Sequence, residues 1–171
     1  MEQTAKSSGW IVDSSTGPEV PFLGMRHVID GPEFDLGITI LEGTLRPGQL
    51  VPPHTHSRED ELAYVKSGSL TYWVDGSSSV ATKGCYVLKP RGLAHAFWNH
   101  TDEDAAVAEF HVPGGQASYY DRLGALFGDR GLSDDKRQAK VAQLQSDFGI
   151  TAHPDLIETL ITDHGFRPTS R

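Results

Sequence analysis

The 171-residue chain is poor in cysteine, in positive charge and in long apolar runs. Its one cysteine, Cys85, cannot form an intrachain disulfide, so no covalent staple is available and a reducing compartment is the natural setting. Lys and Arg number 15 against 23 Asp and Glu, for a formal net charge of -8. That charge repels a phosphate backbone and argues against a nucleic-acid partner. The longest positive run, Asp135-Lys136-Arg137-Gln138-Ala139-Lys140, reads as a solvated helix face. No stretch approaches the length of a membrane span, and the first twenty residues lack the apolar run of a secretion signal. The expectation is a cytoplasmic protein with no membrane partner. Without a secretion signal, Asn99-His100-Thr101 carries no weight as a glycosylation acceptor. Internal repeats and low-complexity segments are also missing.

Turn formers are abundant: 18 Gly and 10 Pro point to a chain of short strands. Ile38–Leu45, Leu62–Lys66, Ser69–Val74, Ser79–Thr82, Cys85–Leu88, Ala94–Asn99 and Ala105–His111 all read as strands. Asp75-Gly76 marks a tight hairpin between two of them. Even spacing without intervening helices favours an antiparallel barrel or sandwich. After Gly114-Gly115 the period changes. Tyr119, Tyr120, Leu123, Leu126 and Phe127 recur at helical spacing. Ser133 with Asp134 can cap a second helix to about Asp147, and Pro154 suits the first turn of a third. The expected organisation is an N-terminal arm (1–19), a β-barrel (20–113) and a C-terminal helical extension (114–171) that caps the barrel or makes an oligomer contact. The first eight or so residues are expected to be loose.

Chemistry concentrates between residues 48 and 95. His54 and His56 are two apart, so on an extended chain their imidazoles point to one face. Glu61 opens the next strand beside them. His95 follows a Pro90-Arg91-Gly92 turn that can aim it across a barrel. Three neutral imidazoles and one carboxylate suit Fe, Ni, Mn, Co or Zn, and leave coordination positions open for water, oxygen or substrate.

These residues resemble the two motifs of the cupin superfamily. Gly48, His54, His56, Glu61 and Gly68 meet every position of the first motif; Gly84, Pro90, Gly92, His95 and Asn99 meet every position of the second. The gap between them, residues 69–83, is short, as in compact single-domain cupins. The resemblance implies a mainly β, jelly-roll barrel over roughly residues 20–113, a homodimer, and one divalent transition metal on His54, His56, Glu61 and His95. Gly114-Gly115 followed by Tyr119-Tyr120-Asp121-Arg122-Leu123-Gly124, and the later Phe148-Gly149-Ile150, are loosely similar to bacterial quercetinase-like cupins.

Other polar residues invite blander readings. Glu59 and Asp60 are expected as solvated loop carboxylates. His100, five residues after His95, faces the other way on a strand. His111 has no motif role; it could reach the barrel mouth, but a surface or core position is the expectation. Tyr64, Trp73, Phe97, Trp98 and Phe110 are core aromatics by default. Phe97 shares the parity of His95 and Asn99 and is the first candidate for a pocket wall, with Tyr64 second. Cys85 is expected to pack in the core.

The expected function is a metal-dependent dioxygenase cleaving a small aromatic or enolizable substrate, with Glu61 as the catalytic base. A non-redox cyclase, isomerase or lyase is the alternative, and a small-molecule-binding cupin without catalysis is the third.

Overall fold

A computed structural model describes residues 11–20, 24–31 and 36–168 of the chain. The loose terminus expected at residues 1–8 lies outside them. Eleven strands and three helices are described. They are β1 (Glu19–Val20), β2 (Met25–Ile29), β3 (Thr39–Leu45), β4 (Leu50–His56), β5 (Asp60–Ser67), β6 (Ser69–Val74), β7 (Ser77–Thr82), β8 (Tyr86–Lys89), β9 (His95–Trp98), β10 (Ala105–Val112), α1 (Ala117–Gly128), α2 (Asp134–Asp147), β11 (Ile150–Ala152) and α3 (Leu156–His164). One antiparallel sheet has the order β1-β2-β3-β10-β5-β8, the other β11-β4-β9-β6-β7. The two face each other as an antiparallel β-sandwich, followed by C-terminal helices.

Strand alternation explains the core. On β5, Glu61, Ala63 and Val65 are buried while Asp60, Leu62 and Tyr64 alternate outward. Leu41, Leu45, Ala63, Val65, Leu70, Tyr72, Phe97 and Val107 form the packed interior. At the Asp75-Gly76 turn both residues have positive φ, 46° and 87°, so β6 and β7 close as the two-residue hairpin that the dipeptide predicts. Gly68 is obligatory for a different reason. Its φ is 72°, and a Cβ there would meet the Ala105 Cα at 2.8 Å.

The tail does more than cap the barrel. Trp73, Ala96 and Trp98 point out of the smaller sheet and are covered by Leu160 and Phe166. Every residue of β9 is therefore buried, inward His95 and Phe97 as much as outward Ala96 and Trp98. Pro154 precedes α3 rather than starting it, and the Ser133 side chain makes no capping hydrogen bond to α2. The segment after Gly149 becomes β11, a strand with no signal in its three residues. It pairs Ile150 with His56 and Ala152 with His54.

Candidate metal centre

Strand pairing assembles the centre from both sheets. In the smaller sheet His54 on β4 lies opposite His95 on β9. The pairing shifts register between Val51 and His54, where Pro52 and Pro53 offer no amide for a ladder. His54 and His56 point to one face, as their spacing requires. Ring centroids are 4.4 Å apart for His54 and His95 and 5.0 Å for His54 and His56. Glu61 comes from β5 in the facing sheet. One ligand atom from each of His54, His56, Glu61 and His95 lies within 4.8 Å of the others.

The histidines are held by the nitrogen that faces away from the cluster. Nδ1–H of His54 donates to the Pro52 carbonyl at 2.7 Å, and Nδ1–H of His95 donates to the Leu93 carbonyl at 3.1 Å. A carbonyl only accepts, so the proton sits on Nδ1 and the Nε2 lone pair is free. Nδ1 of His56 lies 3.3 Å from Glu59 Oε2. Glu59 is thus a buried partner of a histidine rather than a solvated loop carboxylate. Asp60 is instead tied by Arg91, whose amide and guanidinium both donate to it.

The buried Nε2 atoms of His56 and His95 have no hydrogen-bond partner, and Oε2 of Glu61 has the Lys89 ammonium and His95 Nε2 beside it. His56 Nε2 stands 3.0 Å from Glu61 Oε1 and His95 Nε2 3.0 Å from Glu61 Oε2, close without hydrogen-bond geometry. Converging, buried and unpartnered lone pairs are what a metal needs, and the outward nitrogens are already oriented. The donor set therefore fits a divalent transition metal.

The charges are uneven. Burial, with His95 adjacent, holds His54 well below the ordinary imidazole range, and burial lowers His95 too. Burial also opposes protonation of His56, but its hydrogen bond to Glu59 and the adjacent Glu61 carboxylate outweigh it and raise that imidazole to about 9. Burial disfavours ionised Glu61, yet Lys89 and His111 overcome this and keep its carboxyl well below the usual range.

Three neighbours carry no motif signature. Lys89 on β8 and His111 on β10 lie directly opposite Glu61 in the ladder, one on each side. Lys89 Nζ is 2.6 Å from Glu61 Oε2 and 2.6 Å from Glu109 Oε2. His111 Nδ1 is 3.0 Å from Glu61 Oε1, so His111 belongs to the centre rather than to the general core or surface. The sequence does hold a signal for Lys89. It shares the inward parity of Val87, where a charged residue is out of place unless paired.

The pocket candidates separate. Phe97 is buried beside the site, stacked on Tyr72 at 4.9 Å and lying 5.0 Å below the Lys89 ammonium. Tyr64 is a correction. Three residues from Glu61, it has the opposite parity and packs on the exposed Tyr86 outside the sheet. His100 also faces away and bonds to Thr71. Asn99 closes the second motif structurally. Its amide donates to the Leu45 and Glu103 carbonyls and its oxygen accepts from Thr101. Cys85 is half-buried at the edge of the core.

Residues 41–112 match the family model described as "Cupin domain". Among curated proteins, Germin-like protein subfamily 3 member 2 of Arabidopsis thaliana is 34% identical over 77 residues, 42% of this chain and 34% of that protein. Nectarin-1 of Nicotiana plumbaginifolia is 33% identical over 90 residues, 48% of this chain and 39% of that protein. The chain thus spans little more than a third of the length of these relatives. Among solved structures, a protein described as a predicted oxalate decarboxylase from Thermotoga maritima superposes with a TM-score of 0.55 at 21% identity, over 61% of this chain and 99% of its own. KdgF from Halomonas gives 0.55 at 18% identity, over 65% and 99%. These structures share the fold. The match of residues 41–112 supports a cupin domain, and the His/Glu cluster of this chain is consistent with a divalent metal. Among the described residues no helix is long and apolar enough to cross a membrane.

Proposed function

We propose that this chain is a metal-dependent cupin enzyme acting on a small oxygenated molecule, with one divalent transition metal held by His54, His56, His95 and Glu61. The observation that carries this reading is the convergence of one ligand atom from each of His54, His56, Glu61 and His95, with the buried Nε2 atoms of His56 and His95 free of hydrogen bonds while the Nδ1 atoms are held from behind. A metal bound there would polarise a substrate oxygen and, if redox-active, would support oxygen chemistry.

The surrounding wall supports a polar substrate. His111 Nε2, both ring nitrogens of His27 and both amide atoms of Gln116 are buried without hydrogen-bond partners, His27 Nε2 having only Asp121 at 3.8 Å. Tyr120 packs against the His27 and His111 rings at 5.8 and 6.2 Å. Gln116 lies one turn earlier in the chain, on the Tyr120 side of α1. Unpartnered polar atoms beside a reactive centre are ready to bind oxygen functions. They favour a substrate carrying several hydroxyl or carbonyl groups over a flat apolar one. Oxygen-dependent cleavage of an enolizable substrate is the first reading. A non-redox isomerase, cyclase or lyase is the second, favoured by the number of groups able to hold a proton around the centre.

Elemental analysis of untagged protein, followed by oxygen-uptake assays with enolizable aromatic and polyhydroxylated compounds, tests this. Near-stoichiometric Fe, Ni, Mn or Co with substrate-dependent uptake is the expected result. Zn without uptake selects the non-redox reading. Failure to bind any metal after reconstitution overturns both.

A further inference from the structure

Glu61 has more partners than a metal ligand requires. Lys89 is 2% exposed, and its side chain ends between two carboxylates, 2.6 Å from each. Burying an ammonium is costly and is found only where it is paired. Neutralising Glu61 does not explain it, because a bound divalent cation would do so. The partner explains it. Glu109 is equally buried and donates no structure of its own to the motif; its Oε2 accepts from Lys89 while its Oε1 stays unpartnered. Lys89 and Glu109 together are net neutral, so they add no charge to the centre. What they add is geometry.

The ladder makes that geometry rigid. Lys89 on β8, Glu61 on β5 and His111 on β10 form one rung of the larger sheet, and Glu109 stands two residues along β10. Lys89 reaches across β5 to Glu109, with the Phe97 ring beneath its ammonium. We propose that Lys89, anchored by Glu109, is the positioning residue of the centre. It takes up Oε2 of Glu61 so that the carboxylate offers the metal a single oxygen, Oε1, and stays a ligand instead of swinging free as a base. This rests on the metal reading above. A Glu61 held in this way is an alternative to the expected catalytic base.

Co(II) titration of the full chain tests the arrangement, with the dissociation constant and the visible d–d spectrum as readouts. The variants are Lys89→Met with Glu109→Gln, which removes both charges together, and Glu109→Gln alone. The folded double variant is expected to bind Co(II) about 10–100-fold more weakly, as losses of outer partners of a ligand do, and with shifted d–d bands. Glu109→Gln should shift the same bands less. Wild-type affinity and spectrum in the folded double variant overturn the proposal. If the double variant does not fold, an unchanged Co(II) spectrum in Glu109→Gln overturns it instead. Wild-type protein that takes up no Co(II) brings down the metal reading and this inference together. Uptake that is identical across all variants brings down this inference alone.

Discussion

The two sheets contribute to the centre in different ways. The smaller sheet supplies three histidines, each held by a backbone carbonyl or by Glu59 within three residues. The larger sheet supplies one carboxylate, held by side chains from two other strands. Local chain geometry orients the first set; strand register orients the second. Local support survives the loss of a neighbour, whereas a charge network across three strands does not.

Substitutions can break that contrast. The largest expected effect is on metal binding. His54→Ala, His56→Ala or His95→Ala should each abolish tight binding, measured by metal content after dialysis, and for His54, the least buried of the three, the metal-free melting temperature should stay near that of the parent. Next is Lys89→Met alone. It leaves two buried carboxylates facing each other and should cost about 3–5 kcal/mol of stability in urea unfolding, metal present or absent. If it unfolds no more easily than His54→Ala, the distinction between the sheets fails. Leu160→Ala, which empties fully buried volume behind β9, should cost about 2–5 kcal/mol and loosen His95 as well.

Proton linkage sharpens the comparison with a smaller effect. In the metal-free protein His56 is raised to about 9, so its charged form stabilises the fold fully below the ordinary imidazole value and that contribution is lost as pH rises through about 9. Metal needs the neutral ring. Uptake near neutral pH should therefore release protons, and affinity should climb with pH toward 9, which calorimetry in buffers of different ionisation heat measures. The smallest effect belongs to the exposed Asp60–Arg91 pair. It lowers the Asp60 carboxyl to about 2, so its contribution is present above the ordinary carboxylate value and lost as pH falls through about 2. Arg91→Ala should shift acid unfolding only slightly.

Much of the smaller sheet's role was legible from residue spacing. The parity of His54 and His56, the turn before His95 and the Asp75-Gly76 hairpin are local properties. The parity that linked Phe97 to His95, applied to Glu61, argues against Tyr64, the second pocket candidate, which lies an odd number of residues from that ligand. The larger sheet's role was not legible, because Lys89, Glu109 and His111 meet Glu61 only once β8, β5 and β10 are paired in one register. The inward parity of Lys89 hints that it is paired, but not with which residue. β11 was missed for a similar reason, since three residues acquire a strand's conformation from the neighbour they bond to.

That last strand has a consequence for handling the protein. With β11 in place, β4 is an inner strand; His153 adds a hydrogen bond between its ring Nε2 and the Thr55 hydroxyl and another from its amide to the Pro53 carbonyl. A chain ended before Ile150 would leave the strand that bears His54 and His56 as a bare sheet margin, open to recruitment by another molecule. Shortened versions should be judged by their aggregation as well as by their chemistry, and a protease cut near Gly149 would disturb solubility and metal retention in one stroke.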